Sequence, residues 1–236
     1  VLRLELVSDN GILYQSYVGS EFGVWKFLIS LYFGEIIIAA IVFLISVLTI
    51  LFSTIYGILN KHPMDIVYLG YAGMLSAVWL DMNSIFRQVI FPNVSVASEI
   101  PFYMVMLIPF PVIIYMNEIQ EHRFEKLYHF VGIFMGTVDV ISCILYITGI
   151  KDLVSTFIFV TMGCFLAIAS VVYTFFEDLY SRKIQEYRFV AFGLFGAFVC
   201  SVIQIVMYFN RSGIFHGRYL AVGILILLIC SSVHTI

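Results

Sequence analysis

The chain has 236 residues, of which 62% are apolar and only 11% charged, and its mean hydropathy is +1.04. A soluble domain is nearer half apolar and a quarter charged, so this composition belongs to an integral membrane protein. A net charge of −3 gives no electrostatic case for nucleic acid as a partner.

From the amino end, Leu2, Leu4 and Leu6 alternate with Arg3 and Glu5, the period of a half-buried strand. Asp9-Asn10-Gly11 signals a turn, and Ile12 to Val18 can return as a second strand. Two strands are not a stable domain by themselves, so residues 1–20 are expected to be the end of an extracytoplasmic β domain. Residues 21–34 mix Trp25, Phe27 and Tyr32 with Lys26 and read as a juxtamembrane segment lying at the membrane surface, or as a linker.

Seven apolar runs follow, at about 35–59, 65–91, 98–117, 127–148, 153–176, 187–209 and 217–236, each near the roughly 20 residues that a spanning helix needs. The expected fold is therefore an all-α membrane protein, a seven-transmembrane helix bundle over 35–236 with a short extracytoplasmic β segment at its amino end. Alternate loops carry Lys61, Arg123, Lys126, Arg182, Lys183 and Arg188 on one side, and Lys151, Arg211 and Arg218 on the other. That bias predicts the amino end outside and the carboxyl end in the cytoplasm. Both ends of the sequence read as cut from a longer protein.

Charge inside an apolar run is costly and marks where function should be sought. Asp81 lies roughly 4–5 Å outward of the middle of the second run, at 1.5 Å per residue, and Asp139 falls at a similar level in the fourth. The two carboxylates either form a protonatable pair, or line a small outward cavity, or each hydrogen-bonds a neighbouring helix and fixes packing. Asn83, Ser84, Gln88 and Gln204 are polar groups further out. Arg87 is six residues past Asp81, on another face, and is expected to reach the outer surface. Together these residues are the candidates for a ligand site or switch.

Pro109 and Pro111 remove helical hydrogen-bond donors from the third run, so a kink is expected there, as a hinge or as a static bend. The mixed-charge stretches Glu118 to Lys126 and Glu177 to Arg188 read as solvated cytoplasmic turns, with the docking of an output domain as the alternative. Cys143, Cys164, Cys200 and Cys230 are scattered through apolar runs as packing residues, the histidines have no ligand spacing, and neither a metal nor a cofactor is expected. Residues 217–236 hold no lysine for a retinal Schiff base, Gly136-Thr137-Val138-Asp139 is not the Gly-x-Gly-Asp of an intramembrane aspartyl protease, and nucleophile-elbow, phosphate-loop and zinc-protease motifs are missing. This segment is expected to catalyse nothing.

Tyr68-Leu69-Gly70, the run Trp79 to Asn93, Leu107-Ile108-Pro109-Phe110-Pro111 and Asn117-Glu118-Ile119 together resemble the membrane module of the bacterial seven-transmembrane receptors with diverse intracellular signalling modules. The clostridial branch, whose members often end in a GGDEF diguanylate cyclase, is the most similar. One departure is Asn83, where the family pattern has an acid before Ser84; here the acid is two residues earlier, at Asp81. The resemblance implies a homodimeric sensor in the bacterial cytoplasmic membrane that relays an unknown extracytoplasmic ligand to an output domain in cis. A small proton-coupled transporter using Asp81 and Asp139 is the alternative from another class.

Overall fold

The computed structural model describes residues 2–8, 11–18, 20–61, 64–83, 94–209 and 218–235. Strands β1 (Leu2–Ser8) and β2 (Gly11–Val18) pair antiparallel, Leu2 opposite Val18 and Ser8 opposite Gly11, with an irregularity between Leu4 and Leu6. Among the described residues eight α-helices follow: α1 (Glu21–Asn60), α2 (Ile66–Asn83), α3 (Val94–Leu107), α4 (Pro109–Ile119), α5 (Glu125–Ile147), α6 (Leu153–Tyr180), α7 (Arg188–Phe209) and α8 (Arg218–Thr235).

Among the described residues four stretches are long and apolar enough to cross a membrane: Ile36–Asn60, Glu99–Ile119, Glu125–Ile147 and Leu153–Tyr180. Arg188–Ile203 and Tyr219–His234 are shorter apolar helices. The chain is thus a helical membrane protein, and its lipid-facing character is visible in exposed aromatics such as Phe165, Phe176, Phe192 and Phe195. Helix length by itself does not reach the expected seven crossings. The second run is helical from Ile66 to Asn83, and residues 84–91 of it lie outside the described residues.

Residues 21–34 correct the expectation of a separate surface segment. They are the first third of α1, a single helix of 40 residues. Ser20 starts it, its Oγ accepting from the Gly23 N–H at 3.2 Å, and no proline interrupts the run to Asn60. At 1.5 Å per residue α1 is about 60 Å long, twice the roughly 30 Å of a bilayer's hydrocarbon. Its first turns therefore stand clear of the apolar core.

The third run is two helices rather than one. Ile108 keeps right-handed backbone and its N–H still reaches Met104 O at 2.9 Å, but Pro109 and Pro111 cannot donate to Val105 and Leu107. The carbonyl freed at Val105 accepts instead from Cys164 Sγ of α6, at 3.8 Å. That cysteine, expected only to pack, satisfies the break between α3 and α4.

Helix α2 is the centre of the bundle, packed on α1, α3, α4 and α8. Its buried positions include Gly70, Ala72, Gly73, Ser76 and Ala77, small residues that let neighbouring backbones approach. A Cβ at Gly73 would lie 2.3 Å from Ser46 Oγ of α1 and 3.0 Å from Leu228 Cδ1 of α8. Helices α7 and α8 meet in the same way: a Cβ at Gly223 would come within 3.0 Å of Ala197 Cα and Cys200 Cβ. Helices α5 and α6 pair with each other and reach the rest chiefly through α3 and α4. Although consecutive, α6 and α7 share no substantial packing.

These contacts set a test. Gly73→Ala should destabilise the protein by about 1–3 kcal/mol, because the methyl group has no room. Gly132→Ala, where a Cβ meets nothing within 4 Å, should be neutral or stabilising by up to about 1 kcal/mol. Thermal unfolding in detergent compares the two, and equal midpoints would contradict the close α1–α2–α8 approach.

Candidate functional site

Helix α6 buries one stripe: Leu153, Thr156, Val160, Gly163, Ala167, Ser170, Thr174 and Asp178, spaced three or four apart. In a membrane helix that spacing puts small and polar residues on the protein-facing side and leaves the apolar side to lipid. The stripe ends in a carboxylate. Asp178 is 1% exposed, so its charge must be met by protein donors.

The donors come from the turn between α4 and α5. Gln120 closes α4 with its N–H on Met116 O at 3.0 Å, and Glu121 and His122 then take left-handed backbone (φ 51° and 58°). Two successive non-glycine residues in that region cost roughly 1 kcal/mol each, so the turn persists because its neighbours hold it. The Gln120 side chain is fully buried. Its Nε2 donates to Asp178 Oδ2 at 2.8 Å, and its Oε1 accepts from the Tyr128 hydroxyl at 2.7 Å. Tyr128 Oη in turn lies 2.6 Å from Thr174 Oγ1, on the buried stripe.

Arg123 completes the set. Its Nε donates to Gln120 O at 2.9 Å, one terminal nitrogen lies 2.6 Å from Asp178 Oδ1, and the other lies 3.4 Å from Glu186 Oε2. The Tyr187 hydroxyl, also buried, donates to Asp178 Oδ2 at 2.5 Å. Burial, and then this bond to the carboxylate, push the Tyr187 hydroxyl above the ordinary tyrosine range. Tyr187 therefore remains a donor. Both oxygens of Asp178 are satisfied, by Gln120 and Arg123 from the α4–α5 turn and by Tyr187 from the α6–α7 turn.

The same end of α4 reaches two more helices. The Tyr115 hydroxyl meets Ser231 of α8. Beside the start of α2, Glu118 Oε2 lies 3.2 Å from His122 Nε2, and Asn117 Nδ2 lies 2.7 Å from His122 Nδ1. Asp65 faces this group; loss of hydration and then the Glu118 charge raise its carboxyl, with His122 opposing. The stretches Glu118 to Lys126 and Glu177 to Arg188, expected as solvated turns, are for the most part exposed, and the correction is confined to Gln120, Asp178 and Tyr187. Through these three the stretches contribute fully buried side chains to one network, because Asp178 falls in phase with the α6 stripe.

The expected site residues are not gathered here. Asp81 is half-buried on α2 and Asp139 partly buried on α5, helices that share no substantial packing, so the structure does not make them a pair. Asp139 has Cys143 and Cys164 as electrostatic neighbours, and its Oδ2 is buried with no hydrogen-bond partner among the described residues. Asn83 uses its side-chain amide on Trp79 O of its own helix, at 2.9 Å. Ser84, Arg87 and Gln88 lie outside the described residues, as does the side chain of Gln204, whose backbone belongs to α7. Pro109 and Pro111 open α4, the helix that carries the network's turn. Among the described residues no group of three histidine, cysteine or acidic side chains could hold a metal ion.

Fold and site define a helical membrane protein whose bundle is locked at one end by a buried polar network. Comparison of the chain with protein-family models, curated proteins and solved structures returned no match.

Two measurements follow from the network. Asp178→Asn should cost about 3–5 kcal/mol of stability, because the nearby Arg123 guanidinium loses its compensating charge, and Arg123→Met/Asp178→Leu should recover part of it. Tyr187→Phe removes one donor and should cost about 1–3 kcal/mol. Since the Tyr187 hydroxyl is raised in the folded state, its contribution is complete below the unfolded tyrosine value of about 10 and is lost as pH rises above it. The stability gap between the parent chain and Tyr187→Phe should therefore close in alkali. A gap that widened would contradict the assignment.

Proposed function

We propose that this chain is the signal-transducing membrane module of a bacterial receptor, relaying an extracytoplasmic signal through seven crossings to a cytoplasmic output domain. The observation that carries the reading is the network on Asp178. It joins the turn behind the paired prolines to the turn that leads into α7, so a displacement of α4 must act on Asp178, Tyr187 and Glu186. In this reading α2, α7 and α8 also cross the bilayer, the network end is cytoplasmic, and β1 and β2 lie outside. The basic loops support the direction. The resemblance in the sequence supports a diguanylate cyclase as the output and a homodimer as the working form.

A relay needs two arrangements whose balance a ligand shifts through different affinities for each. Removing the network should shift the same balance without ligand. Spin labels at the exposed Glu121 and Lys183 report the separation of the two turns. Asp178→Asn should change the proportions of two distance populations while the helices stay folded. One unchanged distance would refute a moving relay. Direction is tested separately, by a cysteine at Lys183 that reacts only from the cytoplasmic side and one at Lys151 that reacts only from outside.

The second reading, a proton-coupled transporter, draws support from the unpartnered Oδ2 of Asp139. It is the weaker one, because Asp81 is on a helix that does not pack against α5.

A further inference from the structure

The turn between α6 and α7 carries three exposed cations, Arg182, Lys183 and Arg188. Arg123, close by, is taken by Asp178 and Glu186, whereas none of these three has a carboxylate partner among the described residues. Asp178 and Glu186 being occupied, Glu177 is the opposing acid left on this turn. Arg182 holds left-handed backbone at φ 59°, and the Arg188 guanidinium lies 5.2 Å over the exposed Phe189 ring. The turn begins one residue after Tyr180, the last residue of a candidate membrane span and 90% exposed. An exposed tyrosine at the end of a span marks headgroup level.

Arg188 also heads an apolar stripe. Phe192, Phe195 and Val199 follow it at four, seven and eleven residues, on one helical face, and are 75%, 60% and 40% exposed. The opposite face of α7, with Gly193 and Ala197, is the one that packs on α8. From Arg188 to Val199 the helix rises about 16 Å, the depth of one leaflet's hydrocarbon. Since α6 does not cover α7, the stripe stands open next to the cations.

We infer that this turn and stripe form a binding site for an anionic phospholipid. Its phosphate lies among Arg182, Lys183 and Arg188, and an acyl chain runs along Phe192, Phe195 and Val199. Charge complementarity selects the occupant: a zwitterionic headgroup brings its own cation against three cations that face a single acid, Glu177. The inference goes beyond the relay reading and needs only that the end of α6 lies at the headgroups, whichever side of the membrane that is. The labelling of Lys183 and Lys151 can therefore fail without touching it.

Native mass spectrometry of the full chain, titrated in detergent with phosphatidylglycerol or phosphatidylcholine, tests the site. The unchanged chain should retain one phosphatidylglycerol at least about tenfold more tightly than phosphatidylcholine. Each of Arg182→Gln, Lys183→Gln and Arg188→Gln should weaken that preference about fivefold, and the triple variant should abolish it. Lys61→Gln/Lys126→Gln, which changes cations outside this turn, should leave it intact. Inorganic phosphate should not displace the lipid, since it lacks the acyl chain. Equal retention of the two lipids by the unchanged chain would overturn the site, a result that needs no variant to fold. So would a folded triple variant with the parent's preference, or displacement by free phosphate.

Discussion

A carboxylate shut away from water is the constraint on which this end of the bundle depends. Asp178 has 1% of its surface exposed, and an ion so placed is tolerable only if donors surround it. They come from Gln120 and Arg123, more than fifty positions earlier in the chain, and from Tyr187 beyond the end of its own helix. Replacing such a set by apolar groups can leave stability nearly unchanged, whereas removing one member is costly. Its physical effect is to tie the two turns to each other for as long as the set of bonds is intact.

That constraint explains features that are otherwise unfavourable. Glu121 and His122 hold left-handed backbone without being glycine, which is sustained because Gln120 and Arg123 on either side are bound to Asp178. Tyr128 is buried on α5 with its hydroxyl between Gln120 and Thr174, so the network extends into the first turn of the next helix. Small residues do the corresponding work among α1, α2 and α8, where Gly73 leaves room for the side chains of Ser46 and Leu228. Lipid offers no hydrophobic gain for helix association, so close packing and buried polar bonds hold the bundle.

Much of the helical architecture was legible in the sequence, because a bilayer imposes a length and an apolarity that composition reveals directly. The break at Pro109 was legible too, since proline's missing donor is a local property. The network was not. Depth in the membrane singled out Asp81 and Asp139, yet Asp178 lies at the end of its helix, within a charged stretch that resembles a solvated turn. The signal that would have found it is phase: Ser170, Thr174 and Asp178 continue the spacing of Gly163 and Ala167, and a polar stripe in a membrane helix marks the protein-facing side. Gln120 and Tyr187 had no such signal, because their partners are distant in sequence and are brought together only by tertiary packing.

Helix α4 draws these strands together. It spans 11 residues, preceded by a carbonyl that its prolines leave to Cys164 and followed by two left-handed residues. Both ends lack the continuous hydrogen bonding that would fuse it to α3 or α5, while buried side chains of its own tie it to other helices. Tyr115 reaches α8, Met116 is fully buried, and the turn it carries grips α6. In the relay reading, an element weakly joined along the chain and strongly joined across it would pass displacement laterally rather than along its own chain. In the relay reading α4 is therefore the coupling element, and the doubled proline sets where the chain yields and Asp178 sets what moves with it.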